Sequence, residues 1–448
     1  MIINVSSKLS FGVDIKAQKL FVDTPEISVL DPKIVVLPVL QQPGIPLKPV
    51  VTKGKTVSEG EVVASSEDPR SVPLHSSISG KVREVADFFH PLTGQTVPSI
   101  VIENDGKNNK CGSERDYCDY FRHDARQLLG AIRDCGIVGL EGDAFPVHVK
   151  LDRGRRDIDT LIVNAVECDA FISCDSALIK EESRAIIEGI RIVMHILDAS
   201  KAIIALRNDN VKALETFSVL TYNKPNIFLA KVPAKYPQGD ERVLIRGVLG
   251  RTVSFNENMM DAFCVAENVA TIYAISRAIK TSENLSSRVV TVFDSEKKVA
   301  RNLRVKNGTL LRDIAAFCKI EPSRANDVVM GSLMKGRRHD SLDVPLIKAI
   351  RGVFFLGAKE KLNYREADCV FCGKCARVCP ANLLPNKVSE LFRKRDFKRL
   401  MSYYPQACLE CASCSFICPS YRNIFSDVSS AKREYLSNAV ASRQGFSF

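Results

Sequence analysis

Residues 369–380 read Cys-Val-Phe-Cys-Gly-Lys-Cys-Ala-Arg-Val-Cys-Pro, and residues 408–419 read Cys-Leu-Glu-Cys-Ala-Ser-Cys-Ser-Phe-Ile-Cys-Pro. Both follow C-x2-C-x2-C-x3-C-P and repeat at an interval of 39 residues. Three thiolates on one tight loop can each reach a different iron of a cubane. The remaining iron takes a distant cysteine, which in two-cluster ferredoxins comes from the other run. The spacing therefore assigns Cys369, Cys372, Cys375 and Cys418 to one 4Fe-4S cluster, and Cys408, Cys411, Cys414 and Cys379 to a second. Pro380 and Pro419 stop any helix from continuing backward through the fourth cysteine. Zinc sites use paired C-x2-C ligands with a longer gap between the pairs, so two complete runs point to iron and sulfur.

Between the runs, Val388, Leu391, Phe392, Phe397, Leu400 and Met401 recur at helix-like intervals, interleaved with Arg393, Lys394, Arg395, Lys398 and Arg399. The segment Asn386–Tyr404 reads as one helix beside the clusters with a solvated basic face. That face could also dock an acidic electron carrier or anionic lipid headgroups. The other seven of the 15 cysteines, at 111, 118, 135, 168, 174, 264 and 318, show no ligand spacing and read as plain thiols.

The chain has 448 residues, 45% of them hydrophobic, with 63 Lys+Arg against 52 Asp+Glu for a formal charge of +11. This composition excludes disordered and collagen-like classes, and the length suggests about three domains. Disulfide-stapled secreted proteins are short, and the cysteine count here is odd. Met1–Lys16 lacks the pattern of a signal peptide, so the expected compartment is a reducing cytosol. The longest apolar runs fall well short of the ~18 residues needed to span a bilayer. The basic residues are spread along the chain without a nucleic-acid-binding motif.

From about Pro38 to Asn104, short Val- and Ile-rich runs are cut by Gly and Pro, as in an all-β unit. Val57–Ala64 and Ile78–Val85 look like parts of a hammerhead or barrel-sandwich module similar to biotinyl and lipoyl carriers. The tip, His75 to Gly80, has no lysine to modify, so the module reads as a scaffold. From Asp124 to about Lys280 helix and strand alternate, which implies a parallel sheet covered by helices. Strands are expected at Thr160–Ala165, Ala202–Leu206 and Ile227–Val232. Helices are expected at Ala125–Asp134, Asp175–Leu197, Val211–Leu220, Glu241–Leu249 and Ala262–Ile279. Arg288–Phe355 reads as a small α+β unit of β-grasp type with a helix at Leu310–Lys319. Lys359–Asp368 reads as a polar linker, Ser426–Ala441 as a closing helix, and Ser442–Phe448 as a fraying end. The expected fold is thus multidomain α/β and α+β, with boundaries at 1–110, 111–285, 286–358 and 359–448.

In α/β sheets, ligands bind at the carboxyl ends of strands, often on glycine-rich turns whose N–H groups face phosphate. The candidate turn here is Gly136-Ile137-Val138-Gly139-Leu140-Glu141-Gly142-Asp143-Ala144-Phe145-Pro146. Glu141 and Asp143 place carboxylates where an anion would sit. At an effective dielectric of ~20, like charges 4 Å apart cost about 4 kcal/mol, enough to cancel several phosphate hydrogen bonds.

This loop is followed by Val149-Lys150-Leu151, Asn164-Ala165-Val166-Glu167-Cys168, Lys235-Tyr236-Pro237-Gln238-Gly239, Glu267-Asn268-Val269-Ala270-Thr271 and the double cysteine motif. In that order the chain resembles, over nearly its whole length, the RnfC family, the C subunits of the Rnf complex, a membrane-associated, ion-translocating ferredoxin:NAD oxidoreductase. The related A subunit of the sodium-pumping NADH:quinone reductase lacks the ferredoxin part. The resemblance implies a hammerhead-like N-terminal module, an α/β domain like the NADH-binding flavoprotein of complex I, a soluble-ligand-binding β-grasp domain and a two-cluster ferredoxin-like α-helical C-terminus. The family loop typically reads G-x-G-G-A-G-F-P-T and, in complex I, binds FMN and NADH. Gly139, Gly142, Phe145 and Pro146 match it, whereas Glu141, Asp143, Ala144 and Val147 do not. Asp169-Ala170 stands where the family has Glu-Pro, and Gly239-Asp240 where it often has Gly-Gly.

By resemblance, Gly139, Gly142, Lys150, Asn164, Glu167, Gly239, Glu241, Asn268 and Thr271 are the candidates for a flavin or nicotinamide site. Lys150 would lie beside a phosphate, Asn164 and Asn268 would bond ribityl or ring polar atoms, and Glu167 would lie near the nicotinamide ring. The implied role is a peripheral electron-transfer subunit on the cytoplasmic side of the inner membrane. It would link NAD(H) or an acidic carrier, ferredoxin or flavodoxin, to membrane subunits that move Na+ or H+. Two entry points stay open: FMN exchanging hydride with NAD(H), or direct docking of the carrier if the altered loop binds no nucleotide. A stand-alone soluble iron-sulfur oxidoreductase is the alternative. Two oxidised clusters, about −2 each, would lower the chain charge from +11 to about +7.

Overall fold

In the computed structural model, residues 2–5, 11–15, 26–111, 117–321, 327–357 and 365–444 are described. Its centre is a five-stranded, all-parallel sheet. The strand order is Ile2–Asn4, Ile227–Val232, Lys201–Arg207, Thr160–Ala165, Cys264–Asn268. Alternate residues of each strand feed different cores. Leu161, Val163, Ile204 and Leu206 pack under the helices Cys174–Leu197, Val211–Thr221 and Val269–Thr281. Ile162, Ile203, Ala205 and Ala266 pack against Glu241–Leu249 on the opposite face. Both faces are covered, so these strands are near-continuous apolar runs rather than alternating ones.

The single helix expected over Ala262–Ile279 is corrected. Cys264–Asn268 is a fully buried strand, and the helix begins only at Val269, capped by the Asn268 side chain accepting from the Ala270 N–H. A short apolar run does not by itself distinguish buried strand from helix, and the caps decide the register here. Asp124, Asn210 and Asp240 cap other helices of this unit in the same way.

The β-rich module consists of a four-stranded antiparallel sheet, ordered Ile34–Pro38, Thr96–Asn104, Gly80–Phe89, Thr56–Val57, and a three-stranded sheet of Lys48–Pro49, Val62–Ser65 and Leu74–His75. Two strands within residues 1–110 pair outside these two sheets. Ile2–Asn4 pairs in parallel with Leu229–Lys231 of the central sheet, and Ile27–Leu30 pairs in parallel with Asn302–Val305 of the next unit. The first strands are short, and their pairing partners cannot be inferred from local pattern.

The third unit is a six-stranded mixed sheet, ordered Arg337–His339, Asp327–Met330, Gly352–Leu356, Ser287–Asp294, Val299–Lys306, Ile27–Leu30, with the helix Leu311–Phe317. The cysteine-rich end is helical. Its one-helix reading of Asn386–Tyr404 is also corrected: Pro385–Arg393 ends before Arg395, which takes φ 54°, and Phe397–Leu400 restarts under an Asp396 cap. Apolar periodicity continues across the break because both pieces bury against the closing helix Ile424–Gln444. Residues 359–364 of the expected linker and 445–448 of the expected fraying end lie outside the described residues. Among the described residues, no helix is long and apolar enough to cross a membrane.

Candidate switch-point cleft and cysteine centre

In the central sheet the strand order reverses between Thr160–Ala165 and Cys264–Asn268, since successive strands run outward from the first and the last returns to its other side. The crevice beyond the carboxyl ends at such a reversal is where α/β sheets bind ligands. Asn164, Glu267 and Asn268 end these two strands. The glycine-rich turn lies over them. Its Leu140 N–H donates to the Thr271 hydroxyl at 3.0 Å, and the Leu140 carbonyl accepts from the buried Arg288 at 3.0 Å. Gly139 N–H donates to the Phe145 carbonyl at 2.8 Å, and Phe145 N–H to Asp143 Oδ1 at 3.3 Å. Gly142 has φ 126° and Ala144 φ 51°. Where the similar family has glycine, Ala144 holds a left-handed conformation that costs about 1–2 kcal/mol for a residue with a Cβ.

Asn164 Nδ2 donates to Glu141 Oε1 at 2.6 Å and to the Gly239 carbonyl at 2.8 Å. Gly239 has no room for a side chain, because a Cβ there would meet the Val166 carbonyl at 2.6 Å. Lys150 Nζ lies 3.4 Å from Glu267 and 3.6 Å from Glu241. Burial alone would lower its pKa, but Glu267, Glu241, Asp143 and Glu141 together raise it. Burial pushes Glu267 up to about 7, against the pull of Lys150. Burial likewise raises Glu141, against the pull of Arg351 and Lys150, although its loop is exposed and water there moderates the rise.

Glu167 turns away from the crevice to the start of the helix Cys174–Leu197. It accepts from the N–H groups of Asp175 at 2.8 Å and Ser176 at 3.2 Å, and from the Ser176 hydroxyl at 2.6 Å. Burial, then the Asp175 charge, raise its pKa to about 7. Arg351, from the third unit, enters this group with Asp175 at 3.0 Å and Asp169 at 3.7 Å, while Asn268 Nδ2 donates to Asp175 at 3.0 Å. No sequence motif marks Arg351, Asp169 or Asp175. The strand end Glu267-Asn268 was the one local signal for Glu267.

The sequence candidates therefore lie near the crevice, with the Glu167 carboxylate turned away from it, but their charges do not suit a phosphate. Lys150 is held between two carboxylates, and Glu141 and Asp143 stand on the turn. The Asp169 Oδ1, Gln238 Oε1 and Glu241 Oε1 atoms are buried without a hydrogen-bond partner, while Glu267 Oε1 is met by Lys150. These orphaned acceptors call for donors, as in an amide or hydroxyl. A nucleotide phosphate does not fit the residues present, and we derive no step through FMN or NAD(H).

The cysteine runs are built as two copies of one turn. Phe371, Gly373 and Asn382 take left-handed conformations (φ 52°, 69°, 53°), as do their counterparts Glu410, Ala412 and Tyr421 (φ 53°, 62°, 50°). Each run then enters a four-residue helix, Lys374–Arg377 or Ser413–Phe416. One cavity is lined by Cys369, Cys372 and Cys375 of the first run together with Cys418 of the second. The complementary four also neighbour one another. Cys408 feels Cys411 and Cys379, and Cys414 feels Cys411, Cys408 and Cys379. Burial pushes the Cys408 thiol up to about 12, so without metal it is protonated; iron would hold it as thiolate. Leu383 N–H donates to Cys379 Sγ at 3.4 Å and Glu410 N–H to Cys408 Sγ at 3.3 Å, the kind of bond that tunes a cluster. Both thiol sets fit the donors a 4Fe-4S cluster requires.

The two centres adjoin. Leu409, Cys411 and Ile417 pack on the core formed by Val166, Cys168, Tyr236 and Val243. Gly239 N–H donates to Cys168 Sγ at 3.3 Å. The second thiol set thus has a cysteine packed on the α/β unit, while the first stands beside Val370 and Phe371, which are 65% and 70% exposed.

A family model for the RnfC barrel sandwich hybrid domain matches residues 7–107, one for the Nuo51 FMN-binding domain matches 132–277, and one for a 4Fe-4S binding domain matches 363–384. The C subunit of the proton-translocating ferredoxin:NAD(+) oxidoreductase complex of Clostridium ljungdahlii is 33% identical, covering 83% of this chain and 81% of that protein. The C subunit of the Na(+)-translocating ferredoxin:NAD(+) oxidoreductase complex of Acetobacterium woodii is 31% identical over 90% of this chain and 91% of that protein. The C subunit of the ion-translocating oxidoreductase complex of Rhodobacter capsulatus is 30% identical, covering 82% and 71%. Among solved structures, a chain of an NAD+-reducing [NiFe]-hydrogenase in the H2-reduced state aligns with a TM-score of 0.47 at 18% identity, over 72% of this chain and 63% of that one.

Proposed function

The chain belongs to the family of C subunits of ion-translocating ferredoxin:NAD(+) oxidoreductase complexes, and from that premise we propose that it is the complex's peripheral iron-sulfur relay. In this reading two 4Fe-4S clusters are held by cysteines exchanged between the runs, the first by Cys369, Cys372, Cys375 and Cys418, the second by Cys379, Cys408, Cys411 and Cys414. The observation that carries it is the cavity in which Cys418 joins the three thiols of the other run. When bound, the clusters would carry single electrons. The chain's own residues hold them at a fixed separation, shield the second set under Leu409 and Ile417, and leave the first near the surface.

The exposed Val370 and Phe371 line one cavity with Lys374, and Lys387 Nζ lies 5.9 Å from the Phe371 ring centre. Residues 359–448 carry 15 basic against 8 acidic side chains. An acidic carrier of ferredoxin or flavodoxin type, or another subunit of the complex, suits an apolar patch beside these two lysines. The peripheral placement on the cytoplasmic side of the inner membrane, and Na+ or H+ movement by partner subunits, rest on the family. Third-unit residues 286–358 are read as a β-grasp domain.

Anaerobic purification followed by iron analysis tests the reading. The wild type is expected to hold about eight irons, and Cys418→Ser or Cys379→Ser about four each. Loss from Cys418→Ser of the cluster bound by Cys408, Cys411 and Cys414 would overturn the exchanged assignment. Cluster absorbance should bleach with a reduced acidic carrier and not with NADH. Rapid bleaching by NADH would instead establish a nucleotide site.

A further inference from the structure

The joint between the α/β and third units encloses a cavity that none of the site candidates lines. Its free space is about 470 Å³ including the open mouth, within the range of small-molecule sites. Ile137 and Leu140 of the glycine-rich turn, Leu178 of the helix Cys174–Leu197, Ala274 of the helix Val269–Thr281 and Val289 of the third unit give it an apolar wall. All five side chains are buried.

The charges around this cavity are unevenly matched. At the mouth, the half-exposed Arg277 is met by Glu283 at 2.9 Å, and Arg304 by Glu182 at 3.9 Å. Arg288, also on the wall, is only 4% exposed. Its guanidinium donates to the carbonyls of Leu140 at 3.0 Å, Val289 at 3.4 Å and Lys348. All three partners are neutral, and among the described residues no carboxylate bonds it. Asp175, whose charge reaches it, already takes Arg351 and the Asn268 amide at 3.0 Å each. Burial pulls the pKa of Arg288 down only to about 10, so it stays a cation at neutral pH. A buried charge is ordinarily paired. A guanidinium also has further N–H donors, set in the fork that suits a carboxylate.

We propose that this cavity is a binding site for a small monocarboxylate with an apolar body, the carboxylate on Arg288 and the body against Leu178, Ala274 and Val289. One unmatched buried cation selects a single negative charge, and the ion pairs at the mouth leave a second charge nothing to pair with. The apolar wall selects against an ion without hydrocarbon, such as inorganic phosphate. The site stands independently of the cluster assignment and of the crevice.

The test is calorimetric titration of the anaerobically purified full chain with benzoate, and with benzamide, benzylamine and acetate for comparison. Benzoate is expected to bind saturably and to raise the melting temperature. Benzamide lacks the charge, benzylamine reverses it and acetate lacks the body, so each should bind at least about tenfold more weakly. Ala274→Phe and Val289→Phe fill the cavity from different units, and either variant that melts near the wild-type temperature should lose benzoate binding. Absence of saturable benzoate binding, benzamide binding as tight as that of benzoate, or binding retained in a folded filling variant would overturn the inference.

Discussion

Asn164 gives its amide to Glu141 at 2.6 Å, and this bond to a carboxylate is worth about 1.5–3 kcal/mol. A nucleotide entering beside this bond would face Asp143, Glu241 and Glu267, which outnumber Lys150. The consequence is testable on the turn alone. The triple variant Glu141→Gly, Asp143→Ala, Ala144→Gly is expected to bind FMN measurably in equilibrium dialysis of the anaerobic protein, with the wild type at least tenfold weaker. Equal binding by both would show that the turn carboxylates do not decide the matter. Much of this site was legible in the sequence: Asn164, Glu167 and Asn268 sit at or just beyond strand ends, where topology sends ligands, and Gly239 lies on the turn before the helix Glu241–Leu249. The role of Glu167 was not. It lies near the crevice but is spent on the helix at Cys174, and only the fold shows which backbone N–H groups lie in front of it.

The helices Cys174–Leu197 and Val269–Thr281 press together at Gly189, where a Cβ would stand 2.2 Å from the Ile272 carbonyl. Gly189→Ala would gain about 1 kcal/mol of helix propensity but would force the backbones apart, and overpacking costs about 1–3 kcal/mol. The expected net effect is destabilisation, seen as a lower denaturation midpoint; a raised midpoint would mean that the helices slide freely. The long helices were readable because their apolar stripe runs for several turns. The strand Cys264–Asn268 was not, since five buried residues carry no period that separates strand from helix. The repeated cysteine turns were readable in spacing, while their shared left-handed residues at 371, 373, 410 and 412 include only one glycine to announce them.

Across the molecule, the α/β and third units are joined by Arg351, which meets Asp175 and Asp169 from the far side of the interface. Removing it strands buried carboxylates, a loss of about 3–5 kcal/mol. Glu167 already titrates well above its unfolded value of about 4.3, so the folded state binds its proton more tightly than the unfolded state. Stability from this source is full below the unfolded pKa and lost as pH rises through the folded one. Arg351→Met raises the folded value further. Its deficit in thermal melting should therefore be largest at mildly alkaline pH and shrink as pH falls toward the unfolded pKa. A deficit that does not change with pH would mean the loss is one of packing alone. Domain joints of this kind were beyond the sequence, as were the destinations of the two earliest strands. Those strands impose a timetable. Ile2–Asn4 leaves the ribosome more than 220 residues before its partner Leu229–Lys231, a wait of roughly 10–45 s at ordinary elongation rates. Ile27–Leu30 waits longer still, for Asn302–Val305. The last strand of the central sheet ends at Asn268 and that of the mixed sheet at Leu356, both ahead of Cys369, so the strands of the scaffold are made before the iron ligands.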